Sequence, residues 1–280
     1  MSPMSSNSAT SASTSHTFGT DPARGPRALP ADSPSWLRIV IALIAFGILT
    51  PMALSGTMME YAFMNFINQP AQQNELLDYL MNAFSYQKLI TGVPLMAGIC
   101  AIWCMPSIIA RRGDILICTL AAFVTSLVSR VMQIFIPANP RPLQDQALGM
   151  TPPFNLSPEF HDLTSFPSDH AVVFIGLGYV IWRFCRPLGI LAMTFAVLVS
   201  FSRAYMGFHF ATDIIAGGIL SVIVIELALL TPFRRLGAWV ADFSRTHPAW
   251  FYGVAFMACY AIATLLEEPR ELLSGLAGMI

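Results

Sequence analysis

Residues 187–231 read PLGILAMTFAVLVSFSRAYMGFHFATDIIAGGILSVIVIELALLT. Two apolar runs, 187–206 and 210–231, are separated only by Gly207, Phe208 and His209. Each run is about the 20 residues that a helix needs to cross the hydrocarbon core of a bilayer. The stretch therefore predicts two membrane helices joined by a short turn, with Arg203, His209 and Asp213 clustered at that turn.

Working outward, the same reading finds spans at 36–57, 88–110, 114–137, 169–186 and 249–267. Composition agrees: 55% of the 280 residues are hydrophobic and 11% charged, where soluble domains run near a quarter charged. Mean hydropathy is +0.61. The expected fold is all-α, a polytopic membrane bundle of seven helices. A net charge of −1 and a single lysine, Lys88, leave no basic surface for nucleic acid. Between the first two spans, Leu76, Leu77, Leu80, Met81 and Phe84 recur at helical spacing beside Glu75, Asp78 and Asn82. That pattern fits an amphipathic helix, lying in the interface or folded over the protein.

Residues 1–35, rich in Ser, Thr, Pro and Ala, read as a disordered tail. A cleaved signal peptide is not expected, because the first apolar run starts near Trp36 and is long enough to span. Residues 232–280 read as a turn, the seventh helix and a short tail with Glu267, Glu268, Arg270 and Glu271. Cys100, Cys104, Cys118, Cys185 and Cys259 lie in or beside apolar runs without metal-ligand spacing, and are expected to be free, buried thiols. With the N-terminus in the cytoplasm, ten of the 15 basic residues fall on the cytoplasmic side, leaving Lys88, Arg130, Arg141, Arg203 and Arg270 opposite.

Ionisable residues beside a hydrophobic layer ask for a partner or a task. By parity along the chain, three polar segments share one side of the membrane. In the first, Ser202 to Asp213, His209 and Asp213 are four apart and share a helix face. A carboxylate on one ring nitrogen fixes the tautomer and leaves the other nitrogen to attack. Arg203 offers a fork of donors for phosphate oxygens. A buried His–Asp pair beside a snorkelling arginine is the plain alternative. In the second, Ser165-Phe166-Pro167-Ser168-Asp169-His170, Ser168 is a helix N-cap with exposed N–H groups behind it, suited to an anion. His170 is then placed to give or take a proton. Here the alternative is an ordinary capped membrane helix. The third, Asn139-Pro140-Arg141-Pro142, holds Arg141 on a stiff backbone after a span carrying Arg130 and Gln133.

Together these segments resemble the type 2 phosphatidic acid phosphatase superfamily, with its pattern KxxxxxxRP, PSGH and SRxxxxxHxxxD. Arg141-Pro142 matches the end of the first motif, Pro167-Ser168-Asp169-His170 the second, and Ser202 to Asp213 the third at every defined position. The resemblance covers roughly residues 36–231. Two departures stand out. The position seven before Arg141 is Ile134, and Arg130 is the nearest basic residue. Asp169 replaces the motif glycine, as in the bacterial undecaprenyl-diphosphate phosphatase branch. A carboxylate there should repel phosphate unless Arg130 or another cation pairs with it.

The resemblance implies a lipid phosphatase of the bacterial plasma membrane, with its site on the periplasmic or outer face. His209 would be the nucleophile, Asp213 its orienting carboxylate and His170 the acid and base. Arg141, Arg203, Ser168, Asp169 and Arg130 would form the phosphate site, without metal or cofactor. Expected partners are a lipid phosphate and membrane lipids. The segment 143–166, with Pro152, Pro153 and Pro158, is expected over the site. Undecaprenyl diphosphate is the favoured substrate; a phosphatidate or lipid A phosphatase, a lipid-phosphate transferase and a non-enzymatic lipid transporter of the same fold are the alternatives.

Overall fold

The computed structural model describes residues 33–136, 139–154, 156 and 164–265. Most of the tail expected over 1–35, Pro158 and the acidic tail from Glu267 lie outside them. All regular structure among the described residues is helical. In chain order the helices are α1 (Trp36–Ser55), α2 (Met58–Asn68), α3 (Glu75–Tyr86), α4 (Lys88–Thr91), α5 (Val93–Cys104), α6 (Arg112–Phe135), α7 (Asp169–Phe184), α8 (Arg186–Tyr205), α9 (Ala211–Ala228), α10 (Thr231–Thr246) and α11 (Pro248–Ala263). A 3₁₀ stretch, Pro106–Arg111, leads into α6.

Helices α1, α6 with the 3₁₀ stretch before it, α8 and α9 are long and apolar enough to cross a membrane. A fifth crossing results if α3 and the Lys88–Cys104 stretch, which meet at 78°, form one broken span. The span expected at 88–110 is thus interrupted: Gly92 divides α4 from α5, and Met105 ends α5 in an extended conformation. Helices α7 and α11 have 16 residues each, short of a full crossing. The multi-pass character follows from these apolar helices and from large side chains such as Leu37, Ile44, Leu191 and Val254 that stay exposed on them.

The centre of the bundle is α7. Ten of its residues between Ala171 and Ile181 are buried, on every side of the helix, so it is enclosed rather than amphipathic. It packs on α6, α8 and α9, and small residues permit the approach. A Cβ on Gly176 would lie 3.0 Å from the Ser221 hydroxyl oxygen of α9, and one on Gly217 would lie 2.7 Å from the Ser168 carbonyl. Several hydroxyls inside the bundle bond backward along their own helices, as Thr125 does to the Ala121 carbonyl and Ser200 to that of Ala196. Polar groups are thereby satisfied where lipid offers no partner.

Ion pairs on buried carboxylates fasten the end remote from the motifs. Glu226 of α9 is fully buried and receives Arg38 of α1 at 2.9 Å, Tyr179 of α7 at 2.5 Å and the Ser35 N–H at 2.8 Å. Asp114 of α6 pairs with Arg234 of α10 at 2.8 Å. The expectation of a turn over 232–248 is corrected here: most of it is α10. Its Arg234 and Gly237 face α6, while Phe233, Leu236 and Trp239 are exposed. The five thiols are free, as expected, but only Cys118 is buried; Cys100 and Cys104 are exposed on an apolar helix.

Candidate active site

The C-terminal part of α6, the loop around Arg141, the approach to α7 and the α8–α9 turn converge at one end of the bundle. Backbone and side-chain bonds hold them there. Ser129 and Gln133 of α6 both donate to the Pro167 carbonyl, at 3.1 and 2.8 Å. The Ser165 N–H reaches the Asn139 carbonyl at 3.1 Å, and the Ser168 N–H reaches the Asp213 carbonyl at 3.2 Å. The Leu143 N–H donates to Gly207 at 3.0 Å. Gly207 has φ +69°, a left-handed conformation, and a Cβ there would come within 2.9 Å of Leu143 Cβ. A residue without a side chain is what this turn requires.

At the start of α7, Ser168 is the buried N-cap, accepting from the Ala171 N–H at 3.4 Å. Asp169, in the first turn, complements the positive end of the helix dipole. Its Oδ2 meets Arg130 Nη2 at 2.5 Å. Its Oδ1 accepts from the His170 N–H at 3.0 Å and lies 3.1 Å from His170 Nδ1. The carboxylate thus joins α6 to the ring of His170 and sets that ring's tautomer, with Nδ1 protonated.

His209 sits in the turn before α9 and is 1% exposed. Its Nδ1 lies 2.9 Å from the Ser165 carbonyl and 3.9 Å from Asp213 Oδ2. A carbonyl only accepts, so Nδ1 carries the proton and Nε2 the lone pair. Nε2 is buried and has no hydrogen-bond partner. The orienting bond expected from Asp213 therefore comes from Ser165, whose carbonyl lies closer. Asp213 instead uses Oδ2 to accept the Phe210 N–H at 2.8 Å, which closes the first turn of its own helix. Burial, then the guanidiniums of Arg141 and Arg203, hold the His209 ring well below the ordinary histidine range. It is a neutral imidazole at neutral pH.

Both arginines are fixed. Arg141 Nη1 donates to the Phe208 carbonyl at 3.0 Å. Arg203, 9% exposed, donates to the Ser85 hydroxyl at 2.9 Å, with its guanidinium carbon 4.3 Å from the Phe208 ring centre. All eight residues singled out in the sequence reach this end of the bundle: Arg130, Arg141, Ser168, Asp169, His170, Arg203, His209 and Asp213. The arrangement combines a neutral imidazole nitrogen with two fixed guanidiniums, a combination suited to an anionic electrophile.

Sequence reasoning passed over several supports. The Ser165 contribution is a backbone carbonyl, to which residue type is blind. Ser85 stands on a helix far from the motifs. Gln133 left one signal, an amide in an apolar span three residues from Arg130. The segment after Arg141 is laced to α2 and α3. Tyr61 donates to Asp145, Asn68 exchanges two bonds with the Thr151 backbone at 2.8 and 2.7 Å, and Asp78 takes the Phe154 N–H at 2.9 Å.

Comparison with known proteins bears on this arrangement. The model of the PAP2 superfamily matches residues 114–236. Over 175 residues, 60% of this chain and 77% of the relative, it is 29% identical to the undecaprenyl-diphosphatase of Sulfolobus acidocaldarius. Over 165 residues, 56% of this chain and 78% of the relative, it is 31% identical to the putative undecaprenyl-diphosphatase YbjG of Escherichia coli K12. A 59-residue stretch, 21% of this chain, is 39% identical to the bacitracin transport permease protein BcrC of Bacillus licheniformis but spans only 29% of that protein. The family match includes α6 to α9, the helices that carry the convergent turns, and the likeness to YbjG extends over most of that protein: this chain belongs to the PAP2 superfamily.

Proposed function

We propose that the protein is a membrane lipid phosphatase that removes the terminal phosphate of a lipid diphosphate, undecaprenyl diphosphate foremost, through a phosphohistidine. The observation that carries the reading is His209: its Nδ1 is held by the Ser165 carbonyl, and its buried Nε2 has no partner. A lone pair kept neutral and unbonded beside two guanidiniums is an activated nucleophile awaiting an anion. The substrate choice rests on the names of the two longer relatives and on Asp169 in the second motif.

In this mechanism Nε2 attacks the terminal phosphorus, and an N–P bond forms as the P–O bond to the lipid phosphate breaks. His170 protonates the departing oxygen. Arg141, Arg203 and the Ser168 hydroxyl hold the non-bridging oxygens as charge develops. Arg130 neutralises Asp169, so that carboxylate orients His170 without repelling the phosphate. Asp213, 3.9 Å away, stabilises the imidazolium-like ring. His170 then takes a proton from water, whose oxygen displaces Nε2 and releases inorganic phosphate. No step calls on a metal. The lipid tail stays in the bilayer throughout. With the N-terminus in the cytoplasm, the site faces the periplasm or the outside of a bacterial plasma membrane.

The test is phosphate release by purified protein in detergent from undecaprenyl diphosphate, phosphatidate and a water-soluble phosphate ester. A base-stable, acid-labile phosphoprotein should form with the lipid diphosphate and be absent in His209→Ala. No release from any lipid, or a phosphorylated acceptor in place of free phosphate, sinks the proposal.

A further inference from the structure

Helix α9 begins with an unmet need. Its N-cap is Phe210, whose side chain holds no acceptor, so the first N–H groups must find partners elsewhere. Two carboxyls supply them. Asp213 reaches back to the Phe210 N–H at 2.8 Å. Glu60, on α2 and 152 positions before Thr212, accepts the Thr212 N–H at 3.3 Å and the Thr212 hydroxyl, both through Oε1. Glu60 is 5% exposed, and its Oε2 is buried with no hydrogen-bond partner.

A carboxyl in that setting is expensive: burial raises its pKa against the opposing bonds from Thr212. What it holds is a particular piece of backbone. Thr212 is three residues after His209 and adjacent to Asp213, so a shift of this turn moves both. The same α2 carries Tyr61 and Asn68, which bind Asp145 and the Thr151 backbone in the segment after Arg141. One short helix therefore grips both the His209 turn and the loop that follows Arg141. Glu60 lies before residue 114, outside the stretch matched to the superfamily.

We propose that Glu60 is a positioning residue of this site: through Thr212 it fixes the start of α9, and with it the His209–Asp213 turn, in register with the Arg141 loop. The activity arm of its test rests on the lipid phosphatase reading; the geometry does not.

Removing the carboxyl misplaces the nucleophile without touching the lipid, so Glu60→Ala should lower kcat roughly 10- to 100-fold and leave KM within about twofold. Glu60→Gln keeps an acceptor oxygen toward Thr212 and should recover kcat to within about threefold of the parent protein. Thr212→Val removes the hydroxyl partner, and adding it to Glu60→Ala should bring little further loss, because the two share one interaction. Glu60→Gln and Thr212→Val also serve if the alanine variant folds poorly. Amide exchange of the peptide over 207–214 provides a readout independent of activity, and should quicken in Glu60→Ala but not in Glu60→Gln. Parental kcat in Glu60→Ala overturns the proposal, and so does additive loss in the double variant. If the parent protein releases phosphate from no lipid, the phosphatase reading falls and exchange alone decides: quickening in Glu60→Ala upholds the positioning role, and unchanged exchange ends it.

Discussion

Arg130 Nη2 meets Asp169 Oδ2 at 2.5 Å, linking the last turns of α6 to the first turn of α7. Asp169 is one of the chain's two departures from the superfamily pattern, and Arg130 is the basic residue nearest the other, Ile134. The acid at the second motif is thus paired with a cation from α6. Arg130 lies four residues before Ile134, about one helical turn, which keeps it on the same side of α6. An ion pair so placed leaves the surplus positive charge on Arg141 and Arg203 for an anion.

Breaking this pair from one side should expose the other. Arg130→Gln leaves an uncompensated carboxylate beside the phosphate and should raise KM about tenfold or more. Asp169→Asn combined with Arg130→Gln should restore part of that loss, a coupling of about 1–3 kcal/mol. Steady-state kinetics of the four proteins measure it; additive effects would mean that the pair does not act on substrate.

His209→Ala should reduce turnover by about 10³-fold or more, since the other groups have no nucleophile to assist. Size-exclusion behaviour and helical circular dichroism should match the parent protein. Retained turnover would remove His209 from the mechanism.

The acid limb of kcat/KM should lie below the ordinary histidine range near 6.5. Burial and the two guanidiniums lower the His209 pKa, so the neutral, reactive ring persists as pH falls, and activity is lost only when protons finally bind it. Arg203→Gln or Arg141→Gln removes one of the charges opposing protonation, so the limb should move to higher pH whatever happens to the maximal rate. A limb that stays put or moves down contradicts this electrostatic account.

Gly207→Ala should cost about 1–3 kcal/mol, because an L side chain at φ +69° is strained and its Cβ meets Leu143 at 2.9 Å. Thermal unfolding in detergent reads the loss as a lower Tm, and kcat should fall with it as the His209 turn shifts. An unchanged Tm would mean that the turn relaxes freely.

Phosphate release should be unaffected by prolonged treatment with EDTA, since every proposed role is filled by a side chain or backbone group. Loss of activity reversed by added divalent metal would replace the mechanism.

Much of this protein was written locally. The runs at 187–206 and 210–231 became Arg186–Tyr205 and Ala211–Ala228, because an apolar stretch in lipid has few ways to satisfy its backbone except as a helix. The three motifs were legible because each is a short run of neighbouring residues whose spacing is read directly. The helix face expected for His209 and Asp213 was not met, since His209 lies in the turn before α9. Helix α10 was legible too, in Phe233, Leu236, Val240 and Phe243 at helical spacing, but its charges hid it as a turn.

Tertiary structure decided what depends on contacts between distant residues. Sequence placed a carboxylate near His209, whereas the fold gave Nδ1 to the Ser165 carbonyl and turned Asp213 to the Phe210 N–H. Sequence offered Arg130 as one cation that could pair with Asp169, and packing of α6 on α7 is what brings it there. Glu60 had no local partner at all until α2 lay across the start of α9. Periodicity and spacing are properties of neighbouring residues, so they foretold the helices and their turns. Which acceptor reaches a given ring nitrogen is settled by a few tenths of an ångström between segments far apart in the chain, and only the packed bundle sets those distances.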